Sequence, residues 1–415
     1  MAKKENAKKE IEHTNEPGGV IVSQETTISP ALWLERTVAK GIDARASDIH
    51  IEPYKGELVV RVRVDGVLRE VDCQPLDIHE MVISRLKVLA QMNIAEQHKP
   101  QEGHATFTHP NDAHKIIDVR VSIFPTVLGE TADLRVLNQD EIVFEHINDL
   151  GMSAMDAEKF SEVITRPNGL VLVSGPVGVG KTTTLYTALR QLQSPERNIM
   201  TLEDPVEYRL DFARQSQINP AYGYTFSTGL KSILRQDPDV IMVGEIRDSE
   251  TAEIVIRASL MGRLLFSTIH TNDSVSAIVR LLEFGIPRSF IASALHMVIS
   301  QRLVRTICKF CVEEYKPSFK TLSSAGYLSE SHASTYTRGR GCDKCFQSGF
   351  LGRCAVFEAL YFDDEIKAMV IEEASISDLR NTSRVKGMTS LREEALRKAT
   401  AGITTLEEAV RATPG

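Results

Sequence analysis

The stretch Gly175-Pro176-Val177-Gly178-Val179-Gly180-Lys181-Thr182 constrains this chain more than any other. It fits the pattern G-x-x-x-x-G-K-[ST], in which glycines permit turns that expose consecutive backbone N–H groups to phosphate oxygens. In that pattern Lys181 reaches the β and γ phosphates, Thr182 binds Mg²⁺, and Thr183 closes the phosphate-binding run. The apolar run Leu170 to Val173 precedes the loop as a buried strand would, while Leu185, Ala188, Leu189 and Leu192 follow at helical spacing. The loop thus opens a helix, and a helix N-terminus favours anions. Nucleotide binding is the premise for reading the rest.

At 415 residues there is chain enough for two or three domains, and 42% hydrophobic with 25% charged residues is ordinary for a globular protein. The formal net charge of −8 disfavours a broad nucleic-acid or anionic-lipid surface, so no nucleic acid is expected as a partner. No apolar run reaches about 18 residues. The start Met1-Ala2-Lys3-Lys4-Glu5 lacks the apolar core of a signal peptide, and the expected location is the cytoplasm.

Four of the six cysteines form two C-x-x-C pairs, Cys308-Lys309-Phe310-Cys311 and Cys342-Asp343-Lys344-Cys345. In a reducing compartment such pairs suggest metal over disulfide, and two clips of two thiolates suit tetrahedral Zn²⁺. The intervening residues 312–341 exceed the common spacing, so free thiols stay open as the alternative. Cys73 and Cys354 read as small buried hydrophobes.

Along the chain, residues 1–27 mix lysines and glutamates without an apolar stripe and read as a flexible tail. An α+β domain is expected over 28–138. It would hold a helix from Ala31 to Ala39, a hairpin of Leu58–Val64 and Val67–Val71 around Asp65-Gly66, a helix over Met81–Met92, and strands over Ile116–Val121 and Thr131–Leu137. A charged, turn-rich linker takes 139–151. Over 152–300, strands at Asn198–Leu202, Val240–Val243 and Leu264–Ser267 alternate with helices such as Thr251–Leu260, which predicts a mainly parallel sheet covered on both faces. The tetracysteine module takes 301–360. A helical region over 361–415 follows, with a helix at Leu391–Ala399 and a capping-box-like start at Thr404-Thr405-Leu406-Glu407.

A phosphate loop needs a carboxylate to orient or deprotonate the attacking water. Two strand ends deliver one: Glu203-Asp204-Pro205-Val206-Glu207, and Val240 to Gly244 followed by Glu245. Ligands of open α/β sheets collect at such ends. Gly244 stands where a Walker B strand usually has Asp, so the metal relies on Thr182 and on water-mediated contacts to Glu203, Asp204 or Glu245. His270 follows a third apolar strand, placed to contact a γ-phosphate.

The series Gly175 to Thr184, Glu203 to Glu207, Asp237 to Asp248 and Gly262 to Asn272 resembles the Walker A, Asp box, Walker B and His box of the bacterial type II secretion and type IV pilus assembly ATPases. The resemblance runs over about residues 30 to 412 and includes both cysteine pairs. It implies a RecA-like P-loop NTPase domain preceded by a smaller α+β, PAS-like domain, with a zinc-binding insertion and a helical C-terminus. It also implies a homo-hexamer that hydrolyses ATP with Mg²⁺ and works through an inner-membrane platform protein, peripheral at that membrane. Glu245 maps onto the catalytic Glu, Glu203 and Glu207 onto the Asp-box acids, and His270 onto the His-box histidine. Arg120, Arg135 and Arg235 map onto arginines that neutralise charge on the transferred phosphoryl group.

Three positions depart: His104 and Lys231 stand where relatives carry Arg, and Arg263 replaces the first His of the His box. Assembly and secretion members carry the tetracysteine module and retraction motors look to lack it, which favours assembly. Two other readings stay open: a scaffold that binds nucleotide without turnover, and a conjugation-type or DNA-translocating relative.

Overall fold

The computed structural model describes residues 29–137, 144–326 and 335–413, without the side chains of 113–115. The tail expected over 1–27 and the first part of the linker lie outside the described residues. The chain forms two compact units, Met1–Leu137 and Asn138–Gly415.

In the first unit, Ser29 caps a helix over Pro30–Asp43, its hydroxyl accepting from the Leu32 N–H at 3.3 Å. Strands β1 (Asp48–Tyr54), β2 (Glu57–Val64) and β3 (Val67–Pro75) follow, then a helix over His79–Leu89 and strands β4 (Gln101–His109), β5 (Asp112–Thr126) and β6 (Gly129–Leu137). They form one antiparallel sheet in the order β3-β2-β1-β6-β5-β4. Asp65 and Gly66 both take positive φ, 50° and 80°, as a type I′ turn between β2 and β3 requires. Alternation sorts the two faces. Ile49, Ile51, Val60, Val62, Val119, Val121 and Leu134 go inward against Leu34, Val38 and Leu86 of the helices. The other face carries charge, and cross-strand register sets Arg63 and Arg135 on either side of Asp48.

The second unit holds β7 (Gly169–Ser174), β8 (Ile199–Glu203), β9 (Arg214–Gln217), β10 (Val240–Val243), β11 (Leu264–Ile269), β12 (Leu295–Ile307), β13 (Val312–Tyr315), β14 (Tyr336–Gly339) and β15 (Phe350–Tyr361). Seven of these make a sheet in the order β15-β12-β7-β11-β10-β8-β9, parallel except where β15 runs antiparallel to β12. Both faces are covered, as apolar strands of this kind demand. Leu170 and Leu172 of β7 pack with Val255 and Ile256 of the helix Ser249–Leu260. Their neighbours Val171 and Val173 pack with Leu185 and Leu189 of the helix Lys181–Gln191 and with Phe160 of the helix Ala154–Ile164.

The boundary expected at 300 falls inside a strand. β12 continues to Ile307, and β15 returns beside it with Ile307 opposite Phe350, so the insertion leaves the sheet after Ile307 and rejoins it at Phe350. Ser300-Gln301-Arg302 looks like the end of an apolar run, but Ser300 and Gln301 are buried in mid-strand. The helices Leu391–Thr400 and Leu406–Ala412 are not a separate region either: Leu391, Ala395, Leu406 and Ala409 share a core with Val304 of β12 and Val356 of β15.

Glu408 anchors the last helix. Buried, it accepts from Arg305 at 2.8 Å and from Arg411 at 2.6 Å, and although burial pushes its carboxyl up, these arginines bring it down to about 2 against an ordinary 4.5. A depressed folded-state value means the stabilisation is complete above about pH 4.5 and is lost as pH falls toward 2, and at neutral pH it is on the order of 3 kcal/mol. Glu408→Gln should therefore destabilise the second unit by about that much at pH 7, because it leaves Arg305 without its counter-charge. The difference from wild type should shrink below pH 4, and denaturant titrations at pH 7 and pH 3 check it.

Candidate nucleotide site and metal centre

The loop between β7 and the helix Lys181–Gln191 closes at Gly180, whose φ of 85° belongs to the left-handed region. Having no side chain, Gly180 leaves the first-turn N–H groups of that helix uncapped. A side chain at Gly175 is excluded differently: a Cβ there would lie 2.7 Å from the Gln301 carbonyl oxygen. The floor under the loop is Gln301 of β12. Its Nε2 donates to the Val179 carbonyl at 2.7 Å, and its Oε1 accepts from the Thr184 hydroxyl at 2.8 Å.

Lys181 folds back on this loop, its Nζ donating to the carbonyls of Gly175 and Pro176 at 2.8 Å each. Burial lowers its ammonium to about 8, with Glu245 pulling the other way and Arg302 adding to the fall. A phosphate arriving on the N–H groups would offer that ammonium an anion in place of two neutral carbonyls.

Glu245 leaves β10 half-buried. Its Oε1 accepts from Arg247 at 2.6 Å, and the His270 Nε2 lies 3.4 Å from its Oε2. Arg247 also donates to Asp204 at 3.2 Å, which joins the ends of β8 and β10. Burial pushes the Glu245 carboxyl up, but Arg247 and His270 outweigh it and leave the group below the ordinary carboxylate value. An ionised carboxylate at the strand ends, electrostatically linked to Lys181, is what water activation needs.

Glu203 corrects an expectation. It is enclosed by protein groups: it is 2% exposed, and its oxygens accept from the Tyr186 hydroxyl, from Thr201 at 2.5 Å and from Gln215 at 3.0 Å. It ties the helix after the loop to β8 and β9. Glu207 is exposed beyond β8. A side chain at Gly244 would be a tight fit, its Cβ standing 3.3 Å from the Leu202 carbonyl oxygen. The oxygen donors at the helix start and the strand ends are the Thr182 hydroxyl, Glu245 and Asp204, of the kind a hard cation such as Mg²⁺ takes.

Arg120 and Arg135 are register partners on β5 and β6 of the first unit, with His104 opposite Arg120 on β4. Arg120 pairs with Glu102 at 2.6 Å and Arg135 with Asp48 at 3.0 Å, and their side chains are 42% and 62% exposed. Arg235 is exposed just past the helix Phe226–Ile233. Lys231 pairs with Glu250 at 2.7 Å, and Arg263 with Asp237 at 3.5 Å. Sequence reasoning missed Gln301, Arg302, Arg247 and Tyr186. Arg247 alone had a signal, standing two residues from Glu245 on extended chain.

The four paired cysteines come together with their sulfurs all within 4.8 Å of one another. Cys308 and Cys342 are 3.8 Å apart, Cys311 and Cys345 3.8 Å, and Cys342 and Cys345 3.7 Å. A Zn–S bond of about 2.3 Å sets tetrahedral sulfurs about 3.8 Å apart, so the cage fits zinc. The Cys345 sulfur accepts from the N–H groups of Cys342 at 3.2 Å and Gly349 at 3.3 Å. Burial pushes that thiol up, yet these donors bring it down to about 6, the thiolate form a metal takes. Among the described residues no helix is long and apolar enough to cross a membrane.

The sequence pattern of the family described as Type II/IV secretion system protein matches residues 24–411. The chain is 43% identical over 383 residues to the type IV pilus assembly ATPase PilB of Thermus thermophilus, covering 92% of this chain and 42% of that protein. It is 40% identical over 395 residues to the type II secretion system protein E of Pseudomonas aeruginosa, covering 95% of this chain and 77% of that one. Among solved structures, the Legionella pneumophila ATPase DotB superposes with a TM-score of 0.68 at 21% identity, over 94% of this chain and 97% of that one. The pilus retraction motor PilT with bound ADP gives 0.59 at 25% identity, over 92% and 97%.

Proposed function

Because the chain belongs to the type II/IV secretion system protein family, we propose that it is a motor ATPase powering type IV pilus assembly or extension of a type II secretion pseudopilus. The observation that carries this reading is the ionised Glu245, held by Arg247 and His270 at the strand ends and electrostatically linked to Lys181. A scaffold that only bound nucleotide would have no use for a carboxylate kept charged in that place. The built tetracysteine cage favours an assembly or secretion motor over a retraction one.

In this reading ATP binds through Gly175 to Thr183, with Thr182 and Glu245 offering oxygens to Mg²⁺, which would neutralise charge between the phosphates. Glu245 orients and deprotonates the attacking water, and His270 holds its second oxygen. Glu203 positions the helix after the loop. The working form is a homo-hexamer, in which Arg120 and Arg135 reach the nucleotide of a neighbouring copy and Arg235 assists. Their exposure and neighbouring register support that role. The ring sits at the cytoplasmic face of the inner membrane through a platform protein.

The test is steady-state ATP hydrolysis against protein concentration, with Lys181→Ala as the blank. A rate that rises faster than linearly supports active sites completed between copies. A rate proportional to concentration removes the trans arginines, and stimulation by DNA favours a translocating relative.

A further inference from the structure

Arg302 is a cation without an ion pair at contact distance. It follows Gln301 on β12 and is half-buried, and its guanidinium meets only main-chain oxygens: Nη1 donates to the Gln301 carbonyl at 2.9 Å and Nη2 to the Asn272 carbonyl at 2.8 Å. Among the described residues no carboxylate lies within 4.0 Å of it. The two acids that act on it from further away are committed elsewhere. Glu358 accepts from the Ser274 N–H at 2.8 Å and from its hydroxyl at 2.5 Å, and Asp273 accepts from Arg380 at 2.8 Å. Burial accordingly lowers the Arg302 guanidinium below its usual value. Neutral carbonyls satisfy its hydrogen bonds but not its charge, and such a charge is costly unless an anion supplies the balance.

Arg302 lies against the phosphate loop. Arg302 Nη1 is 3.2 Å from where a Cβ on Gly175 would be, at the start of the phosphate loop, and its charge is felt by Lys181. On its other side, Asn272 belongs to the loop that carries His270.

We propose that Arg302 is a second cation of the phosphate site, acting in the same chain as Lys181, which takes its counter-charge from the bound nucleotide and links the phosphate loop to the His270 loop. The inference rests on the nucleotide reading of that site. Before nucleotide arrives, Arg302 feels only the distant Glu358 and Asp273; once phosphates are bound it gains an ion pair while still gripping the Asn272 carbonyl. It is a binding and positioning residue, and no proton passes through it.

The experiment uses the full chain as wild type, Arg302→Met and Arg302→Lys. Binding of Mg-ADP and of a non-hydrolysable ATP analogue is measured by titration calorimetry, and thermal unfolding is recorded without and with nucleotide. The expected Arg302→Met protein binds the analogue roughly tenfold or more weakly, as for loss of a charged hydrogen bond. Its unfolding temperature without nucleotide is unchanged or raised, since an unpaired charge has gone. Arg302→Lys recovers part of the affinity, keeping the charge but losing the fork.

Affinity within about twofold of wild type overturns the inference. So does a lower unfolding temperature without nucleotide combined with a wild-type rise on adding it, the signature of a strut between two loops. Wild-type protein that binds neither nucleotide removes the nucleotide reading as well, a result separable from equal binding by wild type and Arg302→Met.

Discussion

Glu245→Gln should lower kcat for ATP hydrolysis by about a thousandfold while leaving nucleotide affinity within a few fold of wild type. Gln keeps the shape of the side chain and one oxygen for Mg²⁺ or for the Arg247 fork, so the strand end should stay in place. What it loses is the ability to take a proton. The surroundings of Glu245 are arranged for that ability: Arg247 at 2.6 Å and His270 at 3.4 Å keep it ionised although it is half-buried. Since its carboxyl lies below the ordinary carboxylate value, activity should not fall through titration of this group until well into acid. Single-turnover hydrolysis beside equilibrium nucleotide binding separates the outcomes. A variant that turns over like wild type makes the chain a nucleotide-dependent scaffold, whatever its relatives do.

Loss of zinc should be the second large effect. The cage of Cys308, Cys311, Cys342 and Cys345 has the sulfur spacing of a tetrahedral site and N–H donors aimed at one of its sulfurs. Burial pushes the Cys311 thiol up to about 12, so an empty cage holds protons that a metal must displace. Purified protein should carry about one zinc per chain. Cys345→Ser should lose it and destabilise the insertion by several kcal/mol on the scale of small zinc modules, so that it melts at a lower temperature. Metal released on thiol titration and the unfolding profile are the measurements. Four thiols that react at once in the native protein, with no metal released, would make them free cysteines. Nucleotide affinity should change little, because no ligand of the cage touches the phosphate loop.

What the sequence disclosed and what it concealed divide along a physical line. The phosphate loop, the strand ends at Glu245 and His270 and the cysteine clips were legible because each is a local pattern whose chemistry depends on spacing. Glu203 was misjudged for the opposite reason. A strand-end acid looks the same whether it faces solvent or is enclosed, and the Tyr186 hydroxyl and Gln215 amide that enclose it arrive from other elements. Gln301 and Arg302 left no trace at all: polar side chains in mid-strand look like the end of a strand. Only the tertiary fold shows that the Gln301 amide is satisfied by Val179 and Thr184. At the last helix the expected cap was displaced by one position. Thr405 is the capping residue, and Glu408, three positions on, turns inward to Arg305 instead of back to its own helix start.

The insertion between β12 and β15 leaves the sheet through a narrow neck. Ile307 is the register partner of Phe350, and the Cys308 N–H donates to the Gly349 carbonyl at 2.9 Å. The two ends of residues 308–349 are thus brought together by sheet pairing rather than by metal. The cost in chain entropy of closing that loop is met by the hairpin, which would exist with a short turn in its place. Beyond that neck the insertion is held by the C-terminal helices, since Leu322, Ala325 and Tyr336 share a core with Leu391, Ala395 and Leu406. The register of β12, the strand that floors the phosphate loop, is set by β7 and β15 and not by the cage at its far end.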